Sequence, residues 1–302
     1  MTQVMFKSPE AREKIARWHD TFRAHSSAPL ESRTVSTRFG DTHVLVGGPA
    51  AAPPLVLLHG ALASSAHLLR ELTLLLESFR VYAVDVIGQS VKSADVRLRV
   101  DNDEYGQWLR DVLDALALPR VSLLGVSWGG FVAQRFAALA PERLTHLALM
   151  VPTGMVSGSA WAGFWKMGWP MTRYLLSPNA TRLRAFAASL LTTFDDEWLP
   201  YIGDAFLSYR LDMKVPRCSR DGEFAQLTAP VLVVSAEHDV SFPGVAVLAR
   251  AKQLFKAPET ELLVGSQHSP PATDEFRAWL GRRLTLFFSG AQGAPMPPWR
   301  PL

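Results

Sequence analysis

A single serine lies between two glycines where a buried strand would turn directly into a helix. Ser127 stands within the run Gly125-Val126-Ser127-Trp128-Gly129. The apolar, partly β-branched run 121–124 is typical of a strand buried on both faces of a parallel sheet, and apolar positions at helical spacing begin at Phe131. Glycines that crowd strand against helix let the serine adopt a strained backbone with its hydroxyl outward. The pattern predicts a nucleophile elbow, with Ser127 as the nucleophile.

A serine hydroxyl is a weak nucleophile near neutral pH, so it needs a general base and a carboxylate that orients this base. His268 follows the apolar run 262–264, and Asp239 follows the run 231–234. The carboxyl ends of parallel strands meet at one edge of a sheet, where residues from several loops can form one site. We therefore predict that His268 is the base and Asp239 its orienting carboxylate. Glu237, two residues before Asp239, is the alternative acid.

Most of the other histidines are poorly placed to reach Ser127. Three lie before the core strands, and a fourth opens a strand at the end remote from the elbow: His19, His25, His43 and His146. For His67, at a helix start, and His238, beside the predicted acid, we expect a structural or surface role.

Acyl transfer also needs donors for the negative charge that develops on the carbonyl oxygen. Trp128 follows the nucleophile directly, and the run His59-Gly60-Ala61-Leu62 follows an apolar strand. We predict an oxyanion hole formed by the backbone N–H groups of Ala61 and Trp128. His59 is expected to brace this hole by hydrogen bonds.

The composition narrows the function classes. The chain has 302 residues, 48% of them hydrophobic, a formal charge of +3 and scattered basic residues, so we expect no nucleic-acid partner. No long apolar run, metal-ligand motif or nucleotide-binding glycine motif is present, which predicts no membrane segment, no metal and no cofactor. The lone Cys218 and the lack of an apolar leader favour a cytoplasmic protein. Whether the chain is a monomer or a homodimer stays open.

The order of apolar segments predicts an α/β sheet. Ser8-Pro9-Glu10 is typical of a helix start, and 33–47 alternates polar and apolar residues as two antiparallel edge strands would. Strands and helices then alternate, with helices expected near 65–78, 103–117 and 272–287. Such alternation predicts a mostly parallel sheet with helices on both faces.

The alternation stops after the sixth strand. Residues 154–215 are rich in aromatic side chains at helical spacing, so we predict a helical cap there. The core is then 1–153 with 216–290, and the proline-rich 291–302 is predicted to be an extended, poorly ordered tail. Cap aromatics serve mainly as packing, but some are expected to line an apolar pocket. For substrate binding we name Leu62, Trp165 and Trp198.

Together these motifs resemble the alpha/beta-hydrolase superfamily over nearly the whole chain. The segments that carry the resemblance are Leu57-Leu58-His59-Gly60, Asp85-Val86-Ile87-Gly88, Gly125 to Gly130, Asp239 and His268. Within the superfamily, Phe6-Lys7-Ser8, the stretch 37–44 and the stretch 83–93 are similar to the naproxen-type bacterial carboxylesterases. The resemblance implies the alpha/beta-hydrolase fold, ester hydrolysis through an acyl-enzyme, and no cofactor.

Two positions depart from the family pattern. The common loop after the fourth strand is D-x-x-G-x-G-x-S, whereas this chain has Ser90 for the second glycine and its serine one position late, at Ser93. The glycine that usually precedes the histidine is Gln267.

Our first hypothesis is a serine carboxylesterase acting on a small-to-medium hydrophobic ester. Carbon–carbon bond hydrolysis and cofactor-free perhydrolysis use the same three residues and are the alternatives. A third reading, a non-catalytic ligand receptor, is disfavoured because all three residues are present.

Overall fold

A twisted sheet of eight strands forms the centre of the protein. The computed structural model describes residues 5–26, 28–212, 214–290 and 296–300. Its strands are β1 (Glu31–Thr37), β2 (Gly40–Gly47), β3 (Pro54–Leu58), β4 (Arg80–Val84), β5 (Val121–Val126), β6 (Leu144–Met150), β7 (Val231–Ala236) and β8 (Glu259–Leu263).

The strand order is β1-β2-β4-β3-β5-β6-β7-β8. β1 pairs antiparallel with β2, and β2 pairs antiparallel with β4. The remaining neighbours, from β4 through β3 to β8, are parallel. The two antiparallel edge strands and the parallel sheet that the sequence predicts are confirmed. The parallel strands bring the loops after β3, β5, β7 and β8 to one edge.

Helices cover both faces of the sheet. Those outside the segment between β6 and β7 are α1 (Pro9–Ala24), α2 (Ser65–Glu71), α3 (Leu75–Ser78), α4 (Glu104–Ala115), α5 (Trp128–Leu139), α10 (Gly244–Leu254) and α11 (Asp274–Ser289). The helix expected near 65–78 is two short helices. α1 begins where the sequence predicts, because the Ser8 side chain accepts a hydrogen bond from the Ala11 N–H and Pro9 occupies the first position.

Neighbouring residues of the central strands belong to opposite hydrophobic cores. Leu57 of β3 packs in the core that includes Phe22 of α1 and Leu284 of α11. Val56, one residue earlier, packs in the core that includes Trp108 of α4. This alternation is the geometry of a strand buried on both faces, as the apolar runs predict.

Between β6 and β7 the described chain forms a series of short helices joined by irregular segments. It contains α6 (Ala160–Gly163), a π-helical turn (Phe164–Gly168), α7 (Trp169–Leu176), α8 (Ala180–Ala187) and α9 (Trp198–Ser208). Several of its aromatic side chains are exposed: Trp161, Phe164, Trp165, Trp169 and Phe194.

Part of the predicted tail packs on the core. Residues 291–295 and 301–302 lie outside the described residues. Trp299 lies 5.0 Å from Phe276 between ring centroids, and the Trp279 indole donates a 3.0 Å hydrogen bond to the Pro297 carbonyl. Residues 296–300 of the predicted extended tail thus contact the core, because α11 offers an apolar surface to Trp299. Across the described ranges, every helix is too short or too polar to span a bilayer.

Candidate active site

Ser127 forms the turn between β5 and α5. Its φ of 50° and ψ of −110° lie outside the common regions for a non-glycine residue, so the backbone is strained there. The Ser127 N–H donates to the Met150 carbonyl at 2.9 Å, and its carbonyl accepts from the Thr153 N–H at 3.1 Å. These bonds fix the turn to the end of β6.

The elbow glycines are required by close backbone approach. A Cβ on Gly125 would lie 2.4 Å from the Gly129 carbonyl oxygen. A Cβ on Gly129 would lie 2.2 Å from the Leu58 carbonyl oxygen. Both distances are far below van der Waals contact, so any side chain would separate α5 from the strands and move Ser127.

A chain of two hydrogen bonds links Ser127 to His268 and Asp239. His268 Nε2 lies 2.9 Å from Ser127 Oγ, and His268 Nδ1 lies 2.6 Å from Asp239 Oδ2. The second oxygen of Asp239 accepts from the backbone N–H groups of Ser241 (2.8 Å) and Phe242 (2.9 Å). Asp239 is buried and its carboxylate is held in place, so it can fix the orientation of the imidazole.

The alternative acid is occupied elsewhere. Glu237 is exposed, and its carboxylate accepts from the Gly265 N–H at 2.9 Å. His238, beside it, is also exposed. The structure thus brings Asp239 rather than Glu237 to His268.

Two unpartnered backbone N–H groups lie near Ser127. Within the described ranges, neither the Ala61 nor the Trp128 N–H has a hydrogen-bond acceptor. Ala61 follows Gly60, and a Cβ built on Gly60 would be 3.4 Å from the Ser127 Cβ. The Ala61 and Trp128 groups are therefore available to an oxygen bound at Ser127.

His59 holds the loop that carries Ala61. Its Nε2 accepts from the Val86 N–H at 2.8 Å, so Nδ1 carries the proton and donates to the Gly60 carbonyl at 2.7 Å. Burial lowers the pKa of His59, which keeps the ring neutral and suits this pair of bonds. Leu62, two residues after Gly60, has a φ of 57°, so strain extends through this loop.

An apolar cavity of about 290 Å³ opens onto Ser127 and His268. Of the side chains predicted to bind substrate, Leu62 and Trp198 line it. Trp165 does not: it is half exposed and packs edge-to-face on Trp161 and Phe164. It lies in the π-helical turn, outside the lining of this cavity, and its role in substrate binding stays a prediction.

His67 also lines the cavity, a position that the sequence pattern does not indicate. It is buried on α2, its Nδ1 lies 2.6 Å from Ser64 Oγ, and its ring lies 4.1 Å from that of Tyr201. Burial lowers its pKa well below the ordinary value, so the ring is neutral. The sequence feature that points to this contact is Ser64, three residues before His67 at a helix start.

A second group of titratable side chains surrounds Asp85 at the end of β4. The Asp85 oxygens accept from the Ser65 N–H (2.9 Å) and hydroxyl (2.7 Å) and from Ser90 Oγ (2.6 Å), and His43 Nδ1 lies 2.5 Å away. Burial alone would raise the pKa of Asp85, but the hydrogen bond with His43 and the neighbouring His19 hold it well below the ordinary value.

This Asp85 group could offer three metal ligands, but hydrogen bonds already occupy its carboxylate oxygens. Three possible ligand atoms lie within 4.8 Å of one another, one each from His19, His43 and Asp85. Both Asp85 oxygens, however, already accept two hydrogen bonds each, from Ser65, Ser90 and His43. The group therefore acts as a buried link between β2, β4 and α2 rather than as a ligand set.

The departures from the family pattern are explained locally. Ser90 supplies one of the hydroxyl donors to Asp85. Ser93 donates to the Asp85 carbonyl at 2.6 Å and accepts from the His43 N–H at 3.0 Å. The Gln267 N–H donates to Thr192 Oγ1 at 2.8 Å, which fastens the histidine loop to the inserted segment.

The comparisons with known proteins agree with this fold. A family model described as alpha/beta hydrolase fold matches residues 53–200. The chain has the alpha/beta-hydrolase fold. Among proteins of this fold, the chain resembles the naproxen-type bacterial carboxylesterases, as the sequence motifs indicate.

Two sequence relatives and one crystal structure from Bacillus subtilis carry that resemblance. The uncharacterized carboxylesterase nap is 28% identical over 304 residues, covering 94% of this chain and 96% of the relative. Carboxylesterase YbfK is 29% identical over 256 residues, covering 80% of this chain and 83% of the relative. The crystal structure of naproxen esterase superposes with a TM-score of 0.79 at 25% identity, over 93% of this chain and 99% of that one.

Proposed function

We propose that this protein is a serine hydrolase that cleaves small-to-medium hydrophobic carboxylic esters through an acyl-enzyme. The single observation that carries the proposal is the hydrogen-bonded chain from Ser127 through His268 to buried Asp239. The likeness to carboxylesterases over nearly the whole chain supports ester hydrolysis rather than the alternative chemistries on the same three residues.

The proposed reaction has two steps. Ser127 Oγ attacks the ester carbonyl while His268 Nε2 takes the hydroxyl proton. The tetrahedral intermediate carries its negative charge on the former carbonyl oxygen, which accepts from the Ala61 and Trp128 N–H groups. His268 then gives its proton to the departing alcohol oxygen. In the second step a water molecule, deprotonated by His268, attacks the acyl-enzyme, and the acid leaves as Ser127 regains its proton.

The cavity indicates the substrate class. A pocket of about 290 Å³ suits a small-to-medium group, and its lining is mostly aliphatic and aromatic, with Leu62, Leu68 and Trp198 among its residues. We propose that the helical segment between β6 and β7 is a cap, since Trp198 and Ile202 of α9 form part of this lining. A cytoplasmic location stays a prediction from the sequence, and the choice between monomer and homodimer stays open.

Hydrolysis of p-nitrophenyl esters of graded acyl length tests this function. We expect turnover of the short and medium chains, with a preference set by the cavity. A folded protein that hydrolyses none of them would contradict the proposal and favour the receptor reading.

A further inference from the structure

One helix of the inserted segment keeps large apolar side chains outside the core. α6, the π-helical turn and α7 follow one another without a break and form a single helix over residues 160–176. Its large apolar side chains that are between 46% and 82% exposed are Trp161, Phe164, Trp165, Trp169 and Leu176. A large exposed apolar patch on a soluble protein marks contact with another protein or with a membrane.

The aromatic side chains of this helix form one stripe. Trp161, Trp165 and Trp169 follow at intervals of four residues, which places them on the same side of a helix. Between centroids, the Trp165 ring lies 5.6 Å from that of Trp161 and 5.2 Å from that of Phe164. Tyr174 of the same helix is instead buried and stacks on a phenylalanine of α8. The helix therefore packs on the protein through residues such as Tyr174 and leaves the aromatic stripe in solvent.

The charged side chains of this helix are both positive. Lys166 and Arg173 are exposed. Among the residues that the structure describes, neither has an ion-pair partner. The sequence has no acidic residue between Glu142 and Asp195. The aromatic stripe is thus accompanied by cations whose charge the helix itself does not compensate.

The helix is attached beside the loop that carries Asp239. The Gly158 N–H, two residues before the helix, donates to the Ser241 carbonyl at 2.8 Å. Lys166 lines a surface groove together with Asp239 and Glu237. Glu237 accepts a backbone N–H there and forms no ion pair with Lys166. The stripe therefore lies on the side of the molecule that holds the candidate active site.

Tryptophan rings beside uncompensated cations fit the surface of an anionic lipid bilayer. Tryptophan favours the boundary between headgroups and acyl chains, and lysine and arginine are attracted to anionic headgroups. A second copy of the chain fits less well. A symmetric contact through this face would bring Lys166 and Arg173 of both copies together, with no acidic residue of the helix to pair with them.

We propose that the helix over residues 160–176 docks in the plane of an anionic lipid bilayer. Its aromatic stripe enters the headgroup layer, and Lys166 and Arg173 face the anionic headgroups. The helix is too short and too polar to cross the bilayer, so it lies on the surface. This contact goes beyond ester hydrolysis and does not depend on it. Docking holds the candidate active site near the lipid phase, where hydrophobic esters concentrate.

Sedimentation with lipid vesicles tests the proposal on the full chain. One set of vesicles is pure phosphatidylcholine, and the other is phosphatidylcholine mixed equally with phosphatidylglycerol. The measured quantity is the partition coefficient of the protein between vesicles and buffer. We expect the parent to bind the mixed vesicles about tenfold or more strongly than the neutral ones, and this preference to shrink at high salt.

Two double variants separate the aromatic stripe from the charges. Trp161→Gln combined with Trp169→Gln should lower the partition coefficient on mixed vesicles by about tenfold or more, because less apolar surface enters the headgroup layer. Lys166→Gln combined with Arg173→Gln should lower it by about tenfold or more on mixed vesicles and change it little on neutral ones. All four side chains are exposed, and circular dichroism checks that each variant is folded.

The matched control removes the same charge elsewhere. Arg12 and Arg17 are exposed on α1, outside the proposed docking helix. Arg12→Gln combined with Arg17→Gln should leave the partition coefficient nearly unchanged. An equal loss in this control and in the Lys166 and Arg173 variant would mean that net charge alone drives binding, and would overturn the proposal.

Two further results would also overturn it. The first is a parent protein that binds neither kind of vesicle, or that binds equally well after the two tryptophans are replaced. The second comes from light scattering after size exclusion: a parent dimer that Trp161→Gln combined with Trp169→Gln converts to a monomer, without vesicle binding, would assign the stripe to a second copy. Vesicle binding is measured without an ester, so its outcome is independent of the proposed hydrolysis.

Discussion

Asp239 and Glu237 occupy the same loop after β7, but their surroundings separate their roles. Asp239 is buried with one oxygen on His268 Nδ1 and the other on two backbone N–H groups, whereas Glu237 is exposed and binds the Gly265 N–H. A carboxylate in the Asp239 position fixes the imidazole tautomer and stabilises the imidazolium formed during catalysis.

We expect Asp239→Asn to lower kcat by about 10⁴, because the amide cannot stabilise the imidazolium. The matched control is Glu237→Gln, which should stay within a few-fold of the parent. Steady-state kinetics on one p-nitrophenyl ester compares the two variants. A larger loss in Glu237→Gln than in Asp239→Asn would show that the acid is assigned to the wrong residue.

Residue roles could be predicted where a local sequence pattern indicates them. The glycines around Ser127 and the strand ends before Asp239 and His268 are visible in the sequence. The buried position of His67 is not, because it depends on Ser64, Phe22 and Tyr201 meeting around one ring, and Tyr201 belongs to a distant helix. The same holds for Asp85, whose partners come from three separate elements.

At the scale of elements, the junction of β5 with α5 depends on backbone contact that a side chain would block. We expect Gly129→Ala to lower the free energy of unfolding by about 3 kcal/mol and to reduce activity further, since its Cβ would meet the Leu58 carbonyl. Denaturant unfolding and ester kinetics measure the two effects.

Gly163 supplies the control for that prediction. It ends α6 with nothing within 4 Å of an added Cβ, so Gly163→Ala should change stability by less than about 1 kcal/mol. Equal effects of the two alanines would mean that the elbow tolerates a side chain.

The helices between β6 and β7 contribute unevenly to the cavity. Trp198 lines it and Trp165 does not, so Trp198→Ala should favour longer acyl chains over acetate by about tenfold in kcat/KM. Trp165→Ala should leave the profile unchanged. An unmoved profile in Trp198→Ala would mean that this side chain serves the packing of α9 alone.

Helical spacing could predict that this segment is helical, but not which aromatic side chains face inward. That choice depends on how α9 packs against α1, where Trp18 and Phe22 contact Tyr201. Trp165 lies in the π-helical turn at Phe164–Gly168 and is half exposed.

At the scale of the whole molecule, the sheet and its order of elements follow from apolar runs and could be predicted. Long-range ion pairs could not. Arg135 of α5 is fully buried and pairs with Glu223, which also binds Arg217 at 2.8 Å. Burial would raise the pKa of Glu223, but these two guanidinium groups lower it to about 2.

The lowered pKa predicts how stability depends on pH. Because the folded pKa of Glu223 lies below its unfolded value of 4.5, its contribution is complete above pH 4.5 and is lost as the pH falls towards 2. Glu223→Gln should destabilise the protein by about 3 kcal/mol at pH 7, since Arg135 is left without a counter-charge.

Urea unfolding at several pH values checks this effect. The difference between parent and Glu223→Gln should shrink as the pH falls from 4.5, whereas Glu13→Gln, on the exposed face of α1, should show almost no difference at any pH. A difference that grows in acid would contradict the ion-pair account.

The central claim is that Ser127 forms a covalent acyl-enzyme. Intact-protein and peptide mass spectrometry after treatment with a p-nitrophenyl phosphonate ester measures this directly. We expect one phosphonyl group, located on Ser127, and loss of ester hydrolysis in step with labelling. In folded Ser127→Ala, labelling should vanish, and turnover should fall to the residual level of about 10³ over water that binding and oxyanion donors provide. Labelling at another residue, or near-parental hydrolysis by Ser127→Ala, would contradict the account.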